Sequence, residues 1–440
     1  MAPPLLRIAA RSVLRNARHS AGTILAIAVG FLALTLFDGY LTFIEKDTSD
    51  AIAERFMVKD VLVERPGAIE ARQSGRPFHE SALGEREQAF LDGWLAAHAA
   101  EAPSHARFLY LWGSASAGKA SAPFLGYGYD VAEGARLRGR FAWDALVGRP
   151  LWKAGDDAVL LGRGLGGLLD CAPTSDRPWF GEDGLPIAEE RPFACRRPRV
   201  QLVVNTASGQ LNAAEPEVVG LLDGGLVEFD SKYANLPMAL AQRLMDTRAV
   251  SLYAIKLTYP RRAAVFSREL VAAARAQGVE LEAVPWQEHI SGEENRRSMR
   301  LLGTYRVLVA LVVLLIASMS VLTTMAKAVA ERTREVGTLR SLGFLRRDVV
   351  RLFALEGALL SLLGTAVGAA ASVAAALAVN RAGITYDAGL MALPFPLRIA
   401  LEPATFAGAA AFLALLATAA AIVPARRAAR SRIPEALAHV

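Results

Sequence analysis

The sequence predicts a membrane α-helical protein with four transmembrane helices and a large extracytoplasmic α+β domain containing a mostly β inserted lobe. Three observations lead there. Hydrophobic residues form 53% of the 440-residue chain and the mean hydropathy is +0.29, whereas soluble chains hold about 45–50% apolar residues. Four apolar stretches reach the about 20 residues needed to cross a hydrocarbon core about 30 Å thick. Charged residues still make up 21% of the chain, so a sizeable soluble part must be attached.

The first span covers 21–44 and is uncharged up to Phe37. It is too long for a cleavable signal peptide, and no A-x-A site follows it cleanly, so it is expected to be a retained signal anchor. The second, 307–326, has no charge. The third, 351–380, is rich in Ala and Gly, the residues that let membrane helices approach closely. The fourth is 403–425.

Orientation follows the basic residues. Arg7, Arg11, Arg15 and Arg18 precede the first span, and with Leu6, Ala10, Val13, Leu14 and Ala17 they make 1–20 a basic amphipathic helix suited to an anionic membrane surface. The segment 327–350 carries Lys327, Arg332, Arg334, Arg340, Arg346 and Arg347, and the tail 426–440 carries Arg426, Arg427, Arg430 and Arg432. The loop 381–402 has only Arg381 and Arg398. The positive-inside rule puts both termini and 327–350 in the cytoplasm and leaves 45–306 and 381–402 outside. The net charge of +6 is explained by these loops and calls for no nucleic acid.

The flanks of 45–306 read as α/β. Phe56–Glu64, Arg107–Trp112, Val250–Thr258 and Val279–Val284 are strand candidates. Ser81–Ala100, with Ser81 as N-cap, and Arg262–Gln277, closed by Gly278, are helix candidates. The Gly- and Pro-rich middle, about 120–230, is expected to be the β lobe.

Chemistry-bearing motifs are weak. Gly113–Lys119 (GSASAGK) has phosphate-loop spacing, but Ala120 stands where a magnesium-binding hydroxyl is needed, so a flexible loop is expected. Gly162–Gly167 (GRGLGG) has dinucleotide-fingerprint spacing without the acidic residue about 20 positions on. His79 and Glu80 begin an H-E-x-x pattern in which Leu83 replaces the second histidine, and no cluster has metal-ligand spacing. No catalytic or metal residue is assigned. Asp38 and Glu356 are intramembrane acids by position; a proton relay is one reading, but paired or interfacial structural acids are the expectation.

Cys171 and Cys195 both fall in the outer domain, where an oxidising compartment favours a disulfide. They would pin the Pro-rich loop 172–194, whose Trp179 and Phe180 are candidate anchors for a docking partner.

Glu331–Phe344 (ERTREVGTLRSLGF), continuing into LRRDVVRLFALEGALLSLLG, resembles the FtsX-like permease family of ABC transporters. Arg7–Gly30 is similar to that family's approach to its first span, and Pro424–Leu437 (PARRAARSRIPEAL) to its terminal signature. Val159–Leu169 (VLLGRGLGGLL) and Asp230–Leu244 (DSKYANLPMALAQRL) resemble its periplasmic core segments. Macrolide-exporter-type and lipoprotein-releasing-type permeases are among its members.

The resemblance implies an ATPase-coupling helix. Glu331, Arg332, Arg334, Glu335 and Arg340 supply alternating charge for a solvated, ion-pairing surface. Val336, Leu339 and Leu342 offer an apolar seam, Gly337 a close approach, and Gly343 before Phe344 a helix end. It further implies a permease subunit, not itself an enzyme, in the bacterial inner membrane. ATP and magnesium would belong to a separate ATPase, and a second permease copy or paralogue would complete the pair. A periplasmic adaptor or lipoprotein carrier is a further partner, and the cargo would be a lipid, a lipoprotein or an amphipathic molecule. The competing readings are a regulatory scaffold that activates an extracytoplasmic enzyme or senses a ligand, and a membrane-anchored extracytoplasmic enzyme.

Overall fold

The computed structural model describes residues 2–15, 17–175, 179, 181, 187–389 and 391–430. Phe180, Arg432, Pro434–Leu437 and the side chains of Leu6, Leu14, Ala17 and Arg18 lie outside the described residues. The helices are α1 (Ala2–Arg15), α2 (Ala17–Asp50), α3 (Ala68–Gln73), α4 (Glu85–Ala97), α5 (Val131–Arg138), α6 (Arg163–Leu168), α7 (Val227–Asp230), α8 (Met238–Met245), α9 (Ala263–Ala276), α10 (Ile290–Glu331), α11 (Thr333–Ser341), α12 (Arg346–Ala382) and α13 (Pro403–Arg430). The chain divides into two compact units: Met1–Lys46, Met299–Ile384 and Leu397–Val440 form one, Asp47–Ser298 and Thr385–Pro396 the other.

The first unit is helical. Among the described residues, four helices are long and apolar enough to cross a membrane: Ser20–Arg55, Asn295–Glu331, Arg346–Ala382 and Pro403–Arg427. They outrun the expected spans because nothing in the flanking sequence breaks the helix. At 1.5 Å per residue, the 37 residues of Arg346–Ala382 reach about 55 Å, well beyond a hydrocarbon core of about 30 Å.

Small residues set the packing. A Cβ added to Gly364 on α12 would lie 2.7 Å from the Ile27 Cβ on α2, and one added to Gly368 would lie 2.9 Å from the Ala28 carbonyl oxygen. Thr35 and Ser372 join the same two helices through hydroxyls 2.8 Å apart. Gly357 meets Ala417 and Ala421 of α13 in the same way. Without a hydrophobic drive between helices in lipid, such backbone approach supplies the dispersion contact. The buried cluster joins Ile27, Phe31, Ala317, Val321, Leu360, Leu413 and Ala417. On α10, by contrast, Leu308, Leu311, Leu315, Ile316 and Met319 are all more than half exposed, a surface suited to lipid and not to water. The amphipathic α1 exposes Arg7, Arg11 and Arg15 and buries Ala9 and Val13.

The second unit is built on strands β1 (Val61–Glu64), β2 (Ser104–Ala117), β3 (Ala120–Tyr129), β4 (Val147–Gly148), β5 (Ala158–Gly162), β6 (Cys171–Pro173), β7 (Phe193–Cys195), β8 (Gln201–Asn205), β9 (Leu211–Ala214), β10 (Glu217–Leu222), β11 (Tyr233–Pro237), β12 (Leu252–Lys256), β13 (Glu282–Pro285), β14 (Thr385–Tyr386) and β15 (Phe395–Pro396). Eleven of them form one sheet in the order β13-β1-β12-β2-β3-β11-β5-β10-β4, with β8 on β2 and β9 on β8. The 120–230 region is β-rich, and its strands continue the sheet begun by the flanks. The 14-residue β2 makes this possible: its first half pairs β12 (Phe108 with Leu252), and its second half pairs β8 (Ser116 with Gln201). Pairs β3/β11 and β5/β10 are parallel.

Both faces of the sheet are covered. Val61 and Val63 join one buried cluster with Leu91, Leu240 and Phe266 from α4, α8 and α9. Leu62 points into the other, with Phe108, Tyr129 and Leu137. β1, β5 and β11 are buried at every position, Glu64 of β1 and Asn235 of β11 included, as expected of strands covered on both sides.

Several boundaries differ from expectation. The first strand starts at Val61 and not Phe56, because Met57 and Lys59 have positive φ. The helix expected from Ser81 begins at Glu85 after Gly84, and the Ser81 hydroxyl instead donates to the Phe78 carbonyl. GSASAGK is no loop: Gly113–Ala117 is the second half of β2, and Gly118 turns the hairpin at φ 72°. Gly113 is there for close approach, since a Cβ would strike the Val203 carbonyl oxygen.

Candidate functional site

The charged stretch 331–344 breaks into three parts. α10 continues through the exposed Glu331, and Arg332 then leaves helical geometry with ψ 15°. α11 follows, and Leu342–Leu345 turn the chain into α12. The end of α11 is a Schellman motif: the Phe344 amide donates to the Leu339 carbonyl, the Gly343 amide to Arg340, and Gly343 holds φ 94°. Arg334 and Glu335 are exposed, and Leu339, Arg340 and Phe344 are half-buried.

The expected apolar seam is divided. Val336 is buried among Val329, Val349, Phe353, Ala425 and Ala429, and Gly337 is buried beside it. Leu342, beyond the last helical turn, is 73% exposed. The seam therefore faces the helix's own bundle at one end and is open at the other.

Arg332 holds this region together. Its Nη1 donates to both carboxylate oxygens of Glu356 at 3.0 Å, its Nε to Glu335 at 2.8 Å, and its guanidinium lies 5.4 Å from the Phe353 ring centre. Glu356 is thus a paired acid, as is Asp38. Asp38 accepts from Arg306 Nε at 2.9 Å and from the Thr405 hydroxyl at 2.7 Å, tying together α2, α10 and α13. Sequence reasoning had no means of naming either basic partner, because Arg306 lies on α10 and Arg332 in the joint after it, far from their acids in sequence.

In the second unit, Cys171 and Cys195 form a disulfide between β6 and β7. Trp179, expected to be exposed, is half-buried, with the Arg163 guanidinium 5.0 Å from its ring centre. Arg163 opens α6 within GRGLGG, and here the structure gives the motif its meaning. The segment is a strand followed by a helix, β5 then α6, and the place of a phosphate is taken by the chain's own Asp230. Its carboxylate accepts from the amides of Arg163 at 3.2 Å, Gly164 at 2.6 Å and Gly224 at 2.6 Å. Burial pushes this carboxyl above its ordinary range, against the pull of the amides.

The same corner grips the segment between α12 and α13. Leu226 bridges Met391, the Ala392 amide donates to the Gly225 carbonyl at 2.8 Å, and Arg163 Nη2 donates to the Ala392 carbonyl at 2.5 Å. Arg163, Gly225 and Asp230 were not singled out from sequence as positioning residues. The signal was present for Arg163 and Asp230, each inside one of the quoted family-like segments; Gly225 lies in neither.

A buried polar cluster lies between the sheet and the Phe141–Asp144 turn. Arg138 donates to Asp144 at 2.6 Å, to the Tyr129 hydroxyl at 2.9 Å and to the Arg55 carbonyl at 3.0 Å. Burial pushes the Asp144 carboxyl up against the opposing Arg138 charge. Among the described residues no three His, Cys, Asp or Glu side chains gather into a metal-binding group.

Residues 307–433 match the family model described as FtsX-like permease C-terminal. Over that stretch, which takes in the short charged helix and the long helices around it, the chain is similar to the C-terminal part of FtsX-like permeases. The chain is similar to the macrolide export ATP-binding/permease protein MacB of Chromobacterium violaceum, 31% identical over 141 residues, which take in 32% of this chain and 20% of that protein. It is also similar to MacB 1 of Yersinia pestis bv. Antiqua, 32% identical over 148 residues, 34% of this chain and 21% of the relative. The chain thus spans about a fifth of the length of these curated relatives. Among solved structures, the extracellular domain of the noncanonic ABC-type transporter YknZ from Gram-positive bacteria aligns with a TM-score of 0.31 at 13% identity, covering 51% of this chain and 98% of that one. The periplasmic region of MacB from Actinobacillus actinomycetemcomitans aligns with a TM-score of 0.33 at 12% identity, covering 52% and 88%.

Proposed function

We propose that this chain is the permease subunit of an ABC-type transporter, non-catalytic itself, in which α11 docks on a separate ATPase. The long helices then carry ATP-driven motion to the outer unit. The observation that carries this reading is α11: a nine-residue charged helix, fixed at both ends between two membrane-length helices, inside the segment matched by the permease family model. The relatives' printed name joins ATP-binding and permease functions, which supports an ATPase as the partner holding ATP and magnesium.

The basic residues around α1, α11 and the end of α13 support a bacterial inner-membrane protein with cytoplasmic termini and an extracytoplasmic sheet domain. The pairing of Asp38 and Glu356 with arginines supports work done on a cargo already at or beyond the outer leaflet, with no charged path through the bundle. A lipid, a lipoprotein or another amphipathic molecule has the right chemistry. A second permease copy or paralogue completes the assembly, with a periplasmic adaptor or lipoprotein carrier as a possible receiver.

Affinity purification from native membranes tests the reading. A stoichiometric ATPase is expected, and replacing Gly337 and Leu339 by Asp is expected to abolish its association and activity. An intact complex in that variant, or no ATPase with the wild type, refutes the proposal.

A further inference from the structure

We infer that the Arg332–Glu356 ion pair is the device that makes α11 and α12 move as one body, so that displacement of the short charged helix is delivered to the third long helix. The inference rests on the coupling reading above and names the link through which it works. The chain itself provides a joint at this point. α10 ends at Glu331, Arg332 is non-helical, and α11 starts afresh at Thr333. A joint of this kind, left alone, lets α11 swing about its amino end and dissipates any push on it.

Three contacts remove that freedom. Arg332 is bound to both oxygens of Glu356, ten residues into α12, or about 15 Å along its axis. Arg332 Nε holds Glu335 of α11 at the same time, so one guanidinium spans both helices. Val336 fills the space below, between Val349 and Phe353 of α12 and Ala425 of α13. The far end of α11 is closed by the Schellman turn, in which the Phe344 amide donates to the Leu339 carbonyl and the Gly343 amide to Arg340, and α12 opens directly after it. The ion pair and Val336 therefore hold α11 to α12 near its amino end, and the short turn holds the other.

The choice of residues is specific. Glu356 is 7% exposed and Arg332 16%, so the pair is shielded, and because Nη1 serves Glu356 while Nε serves Glu335 the planar guanidinium fixes the angle between the two contacts. Lysine, a point charge, cannot hold Glu335 and both Glu356 oxygens together. Arg332 and Glu356 are positioning residues: they act through α11 and need touch neither ATPase nor cargo.

A charge-swap series in the full chain, co-purified with its ATPase and reconstituted in lipid, tests this. The readouts are the amount of ATPase bound and the rate of ATP hydrolysis per bound ATPase. Arg332→Glu, Glu356→Arg and Glu356→Gln are each expected to leave association within about twofold and to lower the hydrolysis rate about tenfold. The double variant Arg332→Glu with Glu356→Arg is expected to recover most of that loss, the signature of a direct pair in a mutant cycle. A merely structural role moves the yield of folded complex, not the rate per bound ATPase. Wild-type rates in Glu356→Gln, or no recovery in a folded double variant, overturn the inference and leave the coupling reading standing. If the double variant does not fold, Glu356→Gln decides alone. Absence of any ATPase with the wild type overturns both.

Discussion

Asp230 caps the start of α6 from 66 residues away in sequence, its Oδ2 accepting the Gly164 amide at 2.6 Å. The other oxygen holds the Arg163 and Gly224 amides. A carboxylate is favoured where several amides converge, and removing it leaves those donors buried and unsatisfied. Asp230→Ala is expected to cost about 3 kcal/mol and to lower the melting temperature of the purified chain, with Asp230→Asn recovering part of the loss. An unchanged melting curve for the alanine variant contradicts this account.

Close helix approach gives a second expectation. Gly364→Leu forces a side chain into Ile27 and should destabilise the bundle by about 1–3 kcal/mol through overpacking. Gly408→Leu, on α13 with nothing within 4 Å, serves as the matched control. Thermal aggregation in detergent distinguishes the two, and equal behaviour rules out the α2–α12 contact as described.

The Arg138–Asp144 pair predicts a non-additive cycle. Arg138→Ala leaves a buried carboxylate and Asp144→Ala a buried guanidinium, each expected to cost about 3–5 kcal/mol. The double alanine variant should cost clearly less than the sum of the two. Denaturant titration of all four forms supplies the numbers, and strict additivity contradicts a direct pair.

Acid should weaken the sheet-bearing unit through Glu64. Burial raises its carboxyl, but the hydrogen bond with His289 and the charge and bidentate contact of Arg72, at 2.8 Å, outweigh burial and hold it below the ordinary carboxylate range. A depressed folded value means the stabilisation is complete above the unfolded value of about 4.3 and is lost as pH falls through the folded one. Melting temperatures between pH 6 and pH 3 should therefore drop more steeply for the wild type than for Glu64→Gln. Parallel curves would show that Glu64 carries none of the slope.

The membrane part was legible in the sequence because a span announces itself by length and composition. The helix ends were not, since polar residues such as those of 295–306 continue a helix as readily as they end one. Long-range pairing was the other gap. Val61, Leu62 and Val63 read as apolar without telling which face each would take, because both faces are covered. The glycine-rich GRGLGG was read only as an incomplete dinucleotide fingerprint, and neither α6 nor its anion partner, which lies in a distant segment that no spacing rule reaches, was foreseen. Glu356 was legible as an acid needing a partner, and Arg332 as a residue of the charged motif; only the fold joins them.

A ribosome finishes all eleven strands of the large sheet by Pro285, yet the corner at Gly225 and Leu226 receives Met391 and Ala392 only after α12 has been made. The second unit is therefore completed late in biogenesis, by residues that follow the third long helix. A chain stopped before Thr385 would carry every strand of the large sheet and still leave that corner unclosed. Assembly of the helices and completion of the sheet domain thus become one ordered event in the life of the nascent chain.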